Sequence, residues 1–361
     1  MDIPRREFIK AFAQAMALGA AAFDPVAGAD GPTSWVFSAF QAKRRKELWG
    51  LLGDLPWQHQ PGPPKVIKRE RRDGYTLERL VLDLNGREPV PALLLIPDKL
   101  QKPAPGLLFI HWHGGMYDLG KEQLLIGDKA QPAYAPVCGD KAQPAYAPVC
   151  AERGLVTLAI DSWCFGERKH VEPGRVGEED AFKLMLWRGE VLWGMMMFDE
   201  VRALDYLASR PEVDPKRLGA LGMSMGSTKA WWLAALDPRV RLCLDVCCLT
   251  EFEELIKINN LKGHGIYYYA PRLLKYFSTA EINELIVPRP RLSVNGRQDL
   301  LTPPVGVEKV RQHLLPLYRK YGKEEDCRIE LFDCGHVELP AMRQLILEWM
   351  DKHLMKPAFQ S

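Results

Sequence analysis

Residues 218–229 read LGALGMSMGSTK, and they decide the fold. A short apolar run ends in Gly222-Met223-Ser224-Met225-Gly226, and an Ala/Trp/Leu-rich segment of helical length follows at 230–236. Strand, G-x-S-x-G and helix in that order form the context of a nucleophile elbow. Ser224 is therefore the candidate nucleophile. Glycine is needed two residues to either side because side chains there would collide with a sharply turning backbone. The turn also sets the Met225 amide at the start of a helix, where an N–H can meet developing negative charge.

Two further residues complete the chemistry downstream. Residues 288–294 read as a strand, and the loop after it carries Asp299; residues 327–332 read as another, and its loop carries His336. Ser, Asp, His is the chain order of the α/β-hydrolase triad, each residue lying on a loop at the carboxyl end of a strand. On this reading His336 takes the proton of Ser224, and Asp299 holds the imidazole tautomer. Simpler readings exist: Asp299 could cap the helix starting near Pro303, and His336 could be an ordinary loop histidine. No other histidine combines a strand-end loop with a place downstream of both partners. His353 lies in the final helix, where solvation is expected, and His59, His170 and His264 have no strand leading into them.

Together with His113-Gly114-Gly115, the stretches Gly222 to Gly226, Gly296 to Asp299 and Gly335-His336 resemble the α/β-hydrolase superfamily over about residues 75–354. Arg210-Pro211-Glu212-Val213-Asp214 and Ile160-Asp161-Ser162-Trp163 resemble the branch holding dienelactone-hydrolase-like proteins and acetyl xylan esterases. Two departures stand out. Ser227 takes a place where relatives commonly carry glycine, and Ser224 stands where dienelactone hydrolases proper use cysteine. The resemblance implies an α/β fold, with a mostly parallel central sheet, helices on both faces and a small cap insertion at 250–287. It also implies a serine carboxylesterase acting on small or carbohydrate-linked acyl esters, with no cofactor and no metal. A peptidase or amidase using the same triad is the alternative; a non-catalytic hydrolase-like binding protein is the third.

In the hydrolase reading, the apolar run 107–110 leads into an oxyanion loop, His111-Trp112-His113-Gly114-Gly115. Its glycines let backbone amides approach a carbonyl without side-chain obstruction. Gly115 and Met225 are the first-choice amide donors, with His113 the rival because His111 and His113 both fit the opening position of such a loop. No carboxylate or cysteine cluster joins these histidines to make a metal site. Trp163 and Phe165, at the carboxyl end of the strand 155–160, are candidate pocket walls. Tyr267 and Tyr268, in the aromatic run of the cap, are two more.

Composition fits one catalytic domain with additions. The chain has 361 residues, 47% hydrophobic and 26% charged, and a formal net charge of +2 with acids and bases interspersed, which argues against a nucleic-acid partner. Residues 1–29 read as a twin-arginine export signal, with Arg5-Arg6, an Ala-rich apolar segment and a small-residue cleavage pattern at Ala27-Gly28-Ala29. Export to a periplasmic or secreted location follows from that reading; a cytoplasmic one follows if the signal does not function. No later apolar stretch reaches the roughly 20 residues of a membrane span. Residues 30–74 read as a helix with a solvated basic middle, Lys43-Arg44-Arg45-Lys46, and a proline-rich linker, and 75–361 as the catalytic domain. Residues 127–138, GDKAQPAYAPVC, recur letter for letter at 139–150. The second copy is assigned to the crossover helix before the next strand and the first to a surplus surface loop. The eight cysteines do not make a disulfide framework, although Cys138 and Cys150 could pair in an oxidising compartment. Oligomeric state is not readable.

Overall fold

A computed structural model describes residues 32–100, 103–127, 144–169 and 172–355. The export-signal stretch, the first repeat copy after Gly127, with Cys138, and residues 139–143 of the second copy lie outside these residues. Nine strands form a single sheet: β1 (Lys65–Arg72), β2 (Tyr75–Leu82), β3 (Val90–Pro97), β4 (Ala104–Ile110), β5 (Val156–Ile160), β6 (Val213–Met223), β7 (Val240–Val246), β8 (Arg291–Gly296) and β9 (Cys327–Phe332). Their spatial order is β1-β2-β3-β5-β4-β6-β7-β8-β9. β1, β2 and β3 pair antiparallel, β3 meets β5 antiparallel, and the strands from β5 to β9 run parallel. This is the expected α/β class.

Burial explains the strand composition. β4 and β5 are buried at every residue, as is most of β7, and they read as unbroken apolar runs because helices cover both faces. Alternation then divides the core in two. Leu108, Ile110 and Ala220 face one cluster, with the helices α1 (Pro32–Trp49), α4 (Leu192–Ser209) and α5 (Met225–Leu236). Leu107, Phe109 and Leu221 face the other, with α2 (Tyr146–Glu152) and α9 (Pro340–His353). The helix α5 is buried at all twelve residues, Trp231 and Trp232 included, which is why it is apolar all round from Ala230 to Leu236; its buried Lys229 pairs with Glu200 and donates to Ser162 Oγ at 2.6 Å.

Several boundaries differ from the sequence reading. The sheet begins at β1, inside the stretch assigned to a linker. β1 was hidden because it is an edge strand with five cations in KVIKRERR, exposed along nearly its whole length and bulged between Val66 and Lys68. The stretch 175–209, rich in Met and Trp, forms two helices, α3 (Arg175–Trp187) and α4, separated at Gly189, whose φ of +78° ends the first. The basic middle of α1 is only half solvated. Lys43 and Lys46 are exposed, whereas Arg45 donates to the Ala235 and Leu285 carbonyls and Arg44 lies 3.7 Å from the Phe277 ring centre. The second repeat copy does lead into the crossover helix α2, and Cys150 there is a buried free thiol. The cap after β7 is built of short helices, α6 (Phe252–Lys257) and α7 (Thr279–Glu284) among them, before β8; α8 (Pro304–Lys320) returns the chain to β9.

Candidate active site

Ser224 sits between β6 and α5 at φ +57° and ψ −120°. This region is strained for a residue with a Cβ, and strain of this kind persists only where surrounding contacts over-determine it. Here they do. The Ser224 N–H donates to the Val246 and Cys247 carbonyls at 2.9 and 3.1 Å. The flanking glycines leave no room: a Cβ on Gly222 would lie 2.1 Å from the Gly226 carbonyl oxygen, and one on Gly226 2.1 Å from that of Ile110.

The loops after β8 and β9 bring Asp299 and His336 to the same point. His336 Nε2 lies 2.8 Å from Ser224 Oγ, and Nδ1 lies 2.7 Å from Asp299 Oδ2. The second Asp299 oxygen accepts the Leu301 N–H at 2.8 Å, so this carboxylate also orders the loop leading to α8. It does not cap that helix, whose N-cap is Pro303. Burial pushes the Asp299 carboxyl up, but its bond to His336 and the attraction of that imidazole outweigh burial and hold it below the ordinary carboxylate range. An ionised Asp299 favours the proton on Nδ1, leaving Nε2 to accept from the serine hydroxyl. Cys247 brings its sulfur near this pair, making a donor group that could in principle hold a cation. Its thiol contacts the Val337 carbonyl at 3.6 Å, is pushed far up by burial, and stays protonated, while both His336 nitrogens are engaged.

The two histidines of the HWHGG loop separate cleanly. His111 is buried; its Nε2 accepts the Ser162 N–H at 3.0 Å and its Nδ1 lies 3.0 Å from the Trp112 carbonyl oxygen, so it ties this loop to the one after β5. Burial, with Lys229 nearby, pushes it down to about 3, which keeps it neutral. His113 faces the cleft. Its Nδ1 accepts the Gly115 N–H at 3.0 Å, which occupies the donor first assigned to the oxyanion. Among the described residues the His113 and Met225 amides have no protein acceptor. His113, the rival register, is therefore the loop amide left open beside that of Met225, for a local reason: its ring closes back on the glycine amide.

A cleft of about 710 Å³ opens over Ser224 and His336, walled by Trp112, His113, Tyr117, Glu178, His264 and Tyr267 among others. Of the four aromatic residues proposed as walls, Tyr267 takes that place. Tyr268 instead lines a separate cavity of about 360 Å³ in the cap, stacked on His264 with centroids 4.4 Å apart. Trp163 and Phe165 do not line the cleft. Their loop is pinned beneath it by the Asp161 carboxylate, which accepts the Lys121 and Glu167 N–H groups at 2.8 and 3.0 Å and the Lys121 ammonium at 2.8 Å. Phe165 consequently packs behind His113 and Tyr117, at 5.0 and 4.8 Å between ring centres, and Trp163 lies under the Arg168 guanidinium at 4.6 Å. Sequence reasoning missed Tyr117, Glu178 and His264 as cleft residues. The first two sit in no motif, and only the Gly263-His264-Gly265 interruption hinted at the third.

Comparison with known proteins gives the chain its relatives. Residues 26–301 match the model of the Abhydrolase family, a span that includes Ser224 and Asp299 and stops short of His336. The Bacillus subtilis (strain 168) protein named "Putative hydrolase YtaP" is 42% identical over 316 residues, 87% of this chain and 100% of its own length. A Bacteroides fragilis NCTC 9343 structure, described as a "putative acetyl xylan esterase", superposes with a TM-score of 0.63 at 22% identity, covering 82% of this chain and 75% of that one. A glucuronoyl esterase from Solibacter usitatus superposes with a TM-score of 0.58 at 16% identity, covering 87% and 93%. At these identities the two structures speak for the fold alone. Among the described residues no helix is long and apolar enough to cross a membrane.

Proposed function

The chain belongs to the Abhydrolase family, and from that premise we propose that it is a serine carboxylic ester hydrolase acting on small or carbohydrate-linked acyl esters. The observation that carries the reading is the hydrogen-bonded line Ser224–His336–Asp299, with 2.8 and 2.7 Å between its members. Ser224 attacks the ester carbonyl while His336 Nε2 takes the hydroxyl proton. The buried Asp299 carboxylate stabilises the imidazolium that forms. The Met225 and His113 amides receive the oxyanion, each such donor being worth about 3 kcal/mol in the transition state. His336 then returns the proton to the leaving alcohol, and a water activated by the same imidazole releases the acid from Ser224.

The names of the structural neighbours support an ester as substrate, and the cleft over the serine, walled on the cap side by Tyr267, offers the space to hold it. The test is hydrolysis of p-nitrophenyl esters from acetyl to decanoyl, acetylated xylan and a peptide anilide, with Ser224→Ala as control. Acetyl preference that vanishes in the variant is the expected result. Cleavage of the anilide with weak ester turnover would transfer the same residues to amide chemistry.

A further inference from the structure

One carboxylate in the cleft has unfinished hydrogen bonding. Glu178, in the first turn of α3, is 1% exposed and shares the cleft with Ser224 and His336. Its Oε2 accepts the Tyr117 hydroxyl at 3.1 Å and lies 3.5 Å from His113 Nε2. Its Oε1 is 3.4 Å from the same nitrogen yet accepts no hydrogen bond from any described residue. A buried carboxylate oxygen without a donor is costly, and such a position is retained where something else supplies the donor. Aromatic faces frame it: Tyr267 stacks on the His113 ring at 5.3 Å, and Tyr117 meets that ring at 4.9 Å.

Resting on the esterase reading above, we propose that Glu178 Oε1 accepts a hydrogen bond from a substrate hydroxyl, so that the preferred ester carries a free hydroxyl beside its scissile bond. A neutral donor fits better than a cation, because Arg175 and Lys262 line the same cleft. Aromatic rings take the carbon face of a polyol or sugar while the carboxylate reads its hydroxyl through a charge-assisted bond. Proximity sets the place of that hydroxyl. The His113 residue whose ring touches Glu178 also offers its amide to the oxyanion. The hydroxyl belongs to either the alcohol half or the acyl half of the ester, and substrate pairs distinguish the two.

The experiment measures kcat/KM of the full chain on glycerol 1-monoacetate against propyl acetate, and on methyl lactate against methyl propionate. The hydroxylated member of one pair is expected to win by about a hundredfold or more, because a site built to bond a hydroxyl discriminates strongly against the analogue lacking it. The pair that responds names the half. In Glu178→Leu, checked for folding by its melting transition, the ratio within that pair falls to near unity through a larger loss on the hydroxylated ester. Equal rates within both pairs for the wild-type chain overturn the proposal without any variant. A ratio that survives in folded Glu178→Leu, or an equal loss on both members, also overturns it and leaves Glu178 as a support for His113 alone. No turnover of any of the four esters, by contrast, overturns the esterase reading itself.

Discussion

The floor of the cleft and its wall are finished to different degrees. At the floor, Ser224 Oγ, both His336 nitrogens and both Asp299 oxygens have protein partners, and the backbone beneath is locked by glycines with no space for a Cβ. On the wall, Glu178 is as buried as Asp299 and, among the described residues, keeps one oxygen without a donor. The contrast teaches where preorganisation resides. The groups that would carry the reaction are assembled before substrate arrives, which is what electrostatic catalysis requires, whereas the group proposed to recognise substrate is completed only by it.

The largest effects should come from the floor. Ser224→Ala is expected to lower kcat/KM on p-nitrophenyl acetate by about 10⁵-fold or more, with a melting temperature close to that of the wild type; substantial residual turnover would break the contrast at once. Asp299→Asn should cost about 10⁴-fold in kcat by disturbing the imidazole tautomer, and a loss confined to KM would mean that His336 is oriented by something else. Gly226→Ala probes the locked backbone. Its new Cβ meets the Ile110 carbonyl, so urea unfolding should show a destabilisation of about 3 kcal/mol or more, and a neutral result would show that the elbow can relax.

The smallest effect belongs to the wall. Burial pushes His264 down to about 4 from 6.5, so the unfolded chain takes up its proton more readily than the native one. Its contribution to stability is therefore complete above pH 6.5 and is lost as the solution is acidified through the interval down to about 4. His264→Gln should make the acid limb of a stability–pH curve shallower by about 1 kcal/mol per pH unit in that window. An unchanged slope would indicate that His264 is already protonated in the native protein.

The sequence was most readable where covalent order and backbone geometry dictate residue type. The elbow glycines around Ser224, the strand runs of β8 and β9 and the loops carrying Asp299 and His336 each leave a local signature, and the structure brings Ser224, Asp299 and His336 together. Legibility fell where tertiary pairing sets the outcome. β1 carries no apolar alternation because its face is solvated, and the break between α3 and α4 rests on one glycine, which in a sequence is weak evidence for a break. In the oxyanion loop, the choice between two amides depended on a ring folding back from His113 to Gly115, an interaction that spacing does not encode. Glu178 was illegible for a related reason: an acidic residue early in a helix is ordinarily a solvated one that favours the dipole, and only the packing of Tyr117, His113 and the cap turns it inward.

The charged first strand has a consequence for how molecules of this protein behave toward one another. An open sheet ends in a row of unpaired backbone groups that can template growth by strand addition. Long charged side chains line β1, most of them ion-paired, as Arg69 is to Glu78 and Arg71 to Asp98, and its bulge breaks the regular register, so a second copy approaching this edge must strip charged groups of water and meets a mismatched ladder. That edge lies at the opposite margin of the sheet from β8 and β9, so substitutions on β1 leave untouched the loops that carry Asp299 and His336.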